Sequence, residues 1–203
     1  VEFWRSALDP LPALAKRYES LRYAIFETCN NVLEANGFAR AWGELPEDIR
    51  QKIHGVVSFI LKPDGTHLYS GEPLINGLKA IALEFPEAEL PLTFGINCSP
   101  AHSLEPALQI TEQDRFLSRH KTRFQFLYPN ASDEDPKTLE KKAENSVSRS
   151  PEEVATILLP LAKKLQKTLP AGVPAFISEC CGGTPYRINA IARQIRTATI
   201  KTL

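Results

Sequence analysis

Four cysteines occur in the 203-residue chain, and two of them are adjacent: "FISECCGGTPYRI" sets Cys180 and Cys181 between an apolar run and a pair of glycines. Neighbouring cysteines reach disulfide geometry only with strain, so this pair needs another partner. A third cysteine, Cys98, ends the apolar run "PLTFGINC". If the two runs are parallel strands of one sheet, the three thiols lie at the same edge. Three thiolates converging there can hold Zn²⁺ and leave one of its four tetrahedral positions open, which is the pattern of a catalytic zinc. Such a metal lowers the pKa of a thiol bound to it, so a substrate thiol in that position becomes a nucleophile. The competing reading is packing: cysteine is among the most buried residue types. No C-x-x-C signature is present, and 82 residues separate Cys98 from Cys180.

The elements that would carry these residues are legible as five short apolar runs: "YAIFET" from Tyr23, "GVVSFIL" from Gly55, "PLTFGINC" from Pro91, "RFQFLYPN" from Arg123 and "AFISECC" from Ala175. Each is too continuous for a half-exposed strand and predicts one buried on both faces. Helical spacing fills the intervals. "EPLINGLKAIALEF" places Leu74, Leu78, Ile81 and Leu83 near one face, and "SPEEVATILLPLAKKLQKTL" opens with an N-cap serine, a proline and two early acids. "TPYRINAIARQI" begins in the same way with a threonine and a proline.

Strands alternating with helices predict an α/β fold of parallel β-α units, either a doubly wound sheet or a (β/α)8 barrel. No G-x-G-x-x-G follows the first strand, which removes support for the dinucleotide-binding version. The unusual polar residues Glu27, Asn97, Asn130, Cys98, Cys180 and Cys181 fall at the C-terminal ends of the runs, the edge that carries the site in both architectures. Five strands are too few to close an eight-stranded barrel, so the expected barrel is incomplete. The polar stretch "NASDEDPKTLEKKAENSVSRS" reads as a flexible excursion on that rim.

Composition narrows the class of partner. Hydrophobic residues make up 43% and charged residues 24%, as in ordinary globular domains, and residues 1–203 read as one domain. The 24 basic residues balance the 24 acidic ones, which removes the footprint of a nucleic-acid binder or a polybasic membrane anchor. A small neutral or zwitterionic ligand fits better. No apolar run reaches the ~18 to 20 residues of a membrane span and no signal-peptide pattern is present, so the expected compartment is the cytoplasm. The chain has no Met and begins at Val1, inside a stretch that already reads as a helix, so it is expected to be a segment of a longer parent.

"NC" after an apolar strand, followed later by "CCGGTP" leading into an "I..IA" helix, resembles the homocysteine S-methyltransferase family of zinc-dependent barrels. "FWRSALDPLPAL" before "FETCNN", "SFILKPDGTHLYSGEPL", "FGINCSP" and "FLYPNAS" resemble further family segments in the same order, over residues 2 to 196. The resemblance implies Cys98, Cys180 and Cys181 as zinc ligands. It implies Glu27 as the holder of the amino group of homocysteine, and Asn97 as a support for substrate and metal. Tyr128 and Asn130 share the rim. Homocysteine would accept a methyl group from S-methylmethionine, S-adenosylmethionine or a related donor, giving methionine.

This chain departs from the family pattern "GGCCGTTP": Ser178 and Glu179 replace the two glycines, and Gly183 replaces the first threonine. Cys29 stands where the family often has Ile and reads as packing. The resemblance also implies that strands one to three are missing, leaving two sheet edges and an apolar interior that invite a missing half-barrel or self-association. The alternative function is therefore a non-catalytic or truncated homologue, a binding module with a vestigial or structural zinc site. The sequons at Asn97 and Asn130 would mark a glycoprotein, but both fall at strand ends.

Overall fold

The computed structural model describes residues 2–85, 92–119, 123–135, 138, 147–169 and 173–200, with side chains to residue 196. Two short helices, α1 (Glu2–Leu8) and α2 (Leu11–Arg17), lead into β1 (Tyr23–Cys29). Then follow α3 (Val32–Gly43), α4 (Glu47–Lys52), β2 (His54–Phe59), α5 (Leu74–Glu84) and β3 (Leu92–Pro100). A 3-10 turn (Ala101–Ser103) joins β3 to α6 (Leu104–Gln113) and α7 (Arg115–Arg119), and after β4 (Phe124–Asn130) come α8 (Pro151–Thr168), β5 (Phe176–Ile177) and α9 (Pro185–Ile200).

All four strand pairings are parallel, and the sheet order β1-β2-β3-β4-β5 follows the chain without a reversal. A doubly wound sheet reverses its order at a switch point, whereas a barrel wall keeps sequence order. The order therefore decides between the two architectures in favour of a barrel wall. The sheet also curls. Tyr23 of β1 meets the rings of Phe126 in β4 and Phe176 in β5 at centroid distances of 5.8 and 4.9 Å, across the concave face. The five strands nonetheless stay open, with β1 and β5 each having a single strand neighbour among the described residues.

On the convex side, Phe26 packs between the tilted ring of Trp4 in α1 (4.2 Å) and the stacked ring of Phe38 in α3 (5.3 Å), and Trp42, Leu74, Leu78, Ile81, Leu104 and Leu158 are fully buried. This apolar layer is the main source of stability: truncating one such leucine costs roughly 2–5 kcal/mol. The helix starts read from the sequence are present. Ser150 caps α8 with a reciprocal capping box to Glu153, and Thr184 Oγ accepts the Arg187 N–H at 3.3 Å. Pro160 lies within α8 on its solvent side, where a missing amide hydrogen bond is least costly.

Three expectations need correction. β1 is not buried on both faces: Ile25 is 38% exposed, because the concave face next to this edge strand carries no cover. β5 is only two residues long. Its pairing continues irregularly, with Ser178 N–H to Leu127 C=O (3.1 Å) and Cys180 N–H to Pro129 C=O (2.7 Å). Leu83 is 68% exposed, since it lies two residues, or about 200°, beyond buried Ile81 on the helix. The middle of the polar excursion after β4, residues 136–137 and 139–146, falls outside the described residues.

Candidate metal centre

The two cysteine segments reach the same rim by different local structures. In β3, the register shifts between Asn97 and Pro100, and Cys98 sits in that irregularity with φ at +52°. A parallel irregularity in β1 puts Thr28 at φ +62°. Residues with a Cβ rarely occupy this left-handed region, and each instance costs about 1–3 kcal/mol. One side chain holds both. Asn97, 1% exposed, accepts at Oδ1 from the Thr28 N–H (3.0 Å) and the Ser58 hydroxyl (2.8 Å). Its Nδ2 donates to Thr28 Oγ1 (2.9 Å) and to Cys98 Sγ (3.3 Å). These four contacts use the full hydrogen-bonding capacity of the amide. Gly95, two residues earlier on the same face, leaves the space: a Cβ there would come within 2.8 Å of Ser58 Oγ and 2.9 Å of Phe126 Cβ.

Cys180 and Cys181 lie on a turn closed by the Gly183 N–H to the Cys180 carbonyl (2.9 Å), with Gly182 at φ +82°. A Cβ on Gly182 would meet Ala131 Cβ at 2.9 Å, so both conformation and space demand glycine. Asn130 joins the two segments, its Nδ2 donating to the Cys98 carbonyl (2.9 Å) and its Oδ1 accepting the Cys181 N–H (3.3 Å). The Ala131 N–H bonds back to the Cys181 carbonyl at 3.0 Å.

The three sulfurs therefore converge. Cys98 Sγ lies 2.9 Å from Cys180 Sγ and 3.7 Å from Cys181 Sγ, and the adjacent pair is 4.0 Å apart. Tetrahedral Zn–S bonds of about 2.3 Å would set sulfurs about 3.8 Å apart. Two of the three spacings match, and the short one is a direct contact between the Cys98 and Cys180 sulfurs. The contact with Cys180, with burial second, pushes the Cys98 thiol well up, while the contact with Cys98 brings Cys180 down to about 6 against the opposing effect of burial. Burial and the charge of Cys180 raise Cys181. All three are free thiols, and they form the one cluster of metal-ligating side chains found among the described residues. By donor type and spacing, they fit a thiophilic cation such as Zn²⁺.

Glu27 lies at the end of β1 on the concave face, in alternation with Tyr23 and Ile25, and its side chain is exposed. Its charge and the burial of Tyr128 together raise the Tyr128 phenol, burial being the larger cause. Cys29 is fully buried and its thiol is pushed up chiefly by desolvation, as expected of packing. Thr28, Ser58 and Arg187 were not singled out by sequence reasoning. Ser58 and Thr28 act across strands, a relation that no local pattern encodes, whereas a basic residue in the first helical turn after the unusual Glu179 was a readable signal for Arg187. A cavity of about 510 Å³ is lined in part by Arg5, Arg40, Glu44 and Glu84, whose charges pair with one another, and no cysteine borders it.

A family model described as homocysteine S-methyltransferase matches residues 2–195. The chain belongs to this family. A comparison with curated proteins gave no significant match. Membership assigns methyl transfer to homocysteine at the level of the family, and the open parallel sheet is consistent with part of the family's barrel. No helix among the described residues is long and apolar enough to cross a membrane.

Proposed function

We propose that this chain, as one domain, carries the zinc site of a homocysteine S-methyltransferase that moves a methyl group from a sulfonium donor, S-methylmethionine or S-adenosylmethionine, to the thiol of homocysteine. The observation that carries this reading is the convergence of Cys98, Cys180 and Cys181 from strands 82 residues apart. Zinc, when bound, supplies the Lewis acidity that makes a substrate thiol a thiolate at neutral pH.

The chain's own residues would do the rest. The three cysteine sulfurs hold the metal, with Cys180 ready as a thiolate near neutral pH. Asn97 and Asn130 fix the backbone that presents them. Glu27, a carboxylate on the same face and edge, receives the ammonium group of homocysteine and so orients its thiol toward the cysteines. A sulfonium donor departs as a neutral thioether, so no general acid is required of the site. The cytoplasm, where thiols stay reduced, suits this chemistry.

The test is metal analysis of the purified chain together with a methionine-formation assay using each donor. About one zinc per chain and zinc-dependent methionine support the proposal. A protein that holds zinc yet forms no methionine, alone or within a longer parent, moves the reading to a binding module. The exposed concave side of β1 and, among the described residues, the single strand neighbour of β1 and of β5 are the observations that favour that second reading.

A further inference from the structure

Glu179 precedes the cysteine pair where the family pattern has glycine, and its side chain is completely buried. A buried carboxylate beside thiolates is costly unless it is paired. Its partner is Arg187 in the first turn of α9, through two parallel contacts: Nε to Oε2 at 2.8 Å and Nη2 to Oε1 at 2.6 Å. The same Nη2 donates to the Arg149 carbonyl at 2.9 Å. Arg149 and Ser148 in turn bond through their N–H groups to the Ala131 carbonyl (3.2 and 3.1 Å), and the Ala131 N–H bonds Cys181. One guanidinium thus ties together the cysteine turn, the end of β4 and the residue before the α8 cap. Gly183 packs against this unit, since a Cβ there would come within 3.1 Å of Glu179 Cβ.

The arrangement is unlike an exposed ion pair, which contributes little to stability. Two-pronged guanidinium–carboxylate contacts fix orientation as well as distance. Cys180 and Cys181 need that constraint, because the strand that delivers them has only two regular residues. Pairing also neutralises a negative charge one residue from Cys180, where it would otherwise oppose a set of thiolates.

From this geometry we infer that Glu179 and Arg187 form a positioning pair for the metal centre, holding the Cys180–Cys181 turn at ligating spacing. The inference rests on the zinc reading above. It accounts for the Glu179 departure as a substitution matched by its own counter-charge rather than as decay of the site.

The test compares wild type, Arg187→Ala and the double variant Glu179→Ala/Arg187→Ala for zinc affinity by chelator competition, thermal stability, and the thiolate-to-metal absorption of the Co²⁺-loaded protein. Arg187→Ala should lose about 10- to 100-fold in zinc affinity, as removal of groups that orient metal ligands does. It should also melt earlier, since it strands a buried carboxylate. The double variant removes both charges, so its melting temperature should recover towards wild type while its zinc affinity stays low and its Co²⁺ bands stay shifted. Should Arg187→Ala fail to fold, the double variant decides alone. Zinc affinity and Co²⁺ bands equal to wild type in the double variant would overturn the inference and leave the zinc reading standing. A wild-type chain with no affinity for zinc or Co²⁺ would overturn both.

Discussion

The two segments that supply the cysteines differ in how they are held. Cys98 lies near the end of a nine-residue strand with neighbours on both sides, and its strained backbone is fixed from within by the saturated amide of Asn97. Cys180 and Cys181 follow a two-residue strand at the sheet edge and are fixed from outside, by Asn130, Ala131 and the Glu179–Arg187 pair. A regular ladder can present a ligand with one supporting side chain. An edge segment has to borrow its rigidity from neighbouring loops and helices. The first half of the site should therefore fail all at once when its support is removed, and the second half gradually.

The largest effect expected is from Cys98→Ser, which should take zinc content from one per chain to none by elemental analysis. Cys180→Ser should do the same, and a Cys181→Ser chain that kept full zinc would show that the exposed thiol is not an equal partner. Asn97→Ala comes next, leaving the Thr28 N–H and the Ser58 hydroxyl without their acceptor. At about 1–3 kcal/mol per stranded group, denaturant titration should register a loss of about 2–6 kcal/mol. Zinc affinity should fall about 10- to 100-fold with it. Gly182→Ala should cost about 1–3 kcal/mol, from positive φ and the contact with Ala131, and should weaken zinc without abolishing it.

The metal-free protein should show the coupling of the two segments through pH. Cys180 titrates at about 6, below the ordinary thiol value of 9.0, so its contribution to stability is present above that ordinary value and is lost as pH falls through about 6. Cys98 is shifted up, so its share is complete below 9.0 and is lost as pH rises beyond it. Denaturation of the metal-free chain at several pH values should thus show stability rising between about pH 6 and 9 and falling above about 9, and Cys98→Ser should flatten that profile. The smallest effect belongs to Ser150→Ala, which removes the α8 cap for about 1 kcal/mol. Zinc affinity should hold, because the Arg149 carbonyl, not the cap, meets Arg187.

The strands and most helix faces were legible because their signals are local: continuous apolar runs, Ser-Pro and Thr-Pro starts, and period-matched aliphatic residues such as Leu74, Leu78 and Ile81. Burial of β1 was over-read because "YAIFET" has the composition of an interior strand whether or not a neighbour covers it. Convergence of the cysteines was legible once the runs were taken as parallel, since parallel strands bring like ends together. The bonds from Asn97 to Thr28 and Ser58 were not, because they join three strands through one side chain and depend on how far the sheet curls. Left-handed backbone at Cys98 was likewise hidden, as nothing in its residue type announces it.

The 82-residue separation of Cys98 and Cys180 also bears on the order of events in folding. Contacts so distant along the chain close late, after the intervening β-α units have paid their loop-closure entropy. Tight thiol ligation then reports that β3, β4 and the β5 edge have docked together, so stopped-flow absorbance of Co²⁺ would give a built-in clock for completion of the sheet.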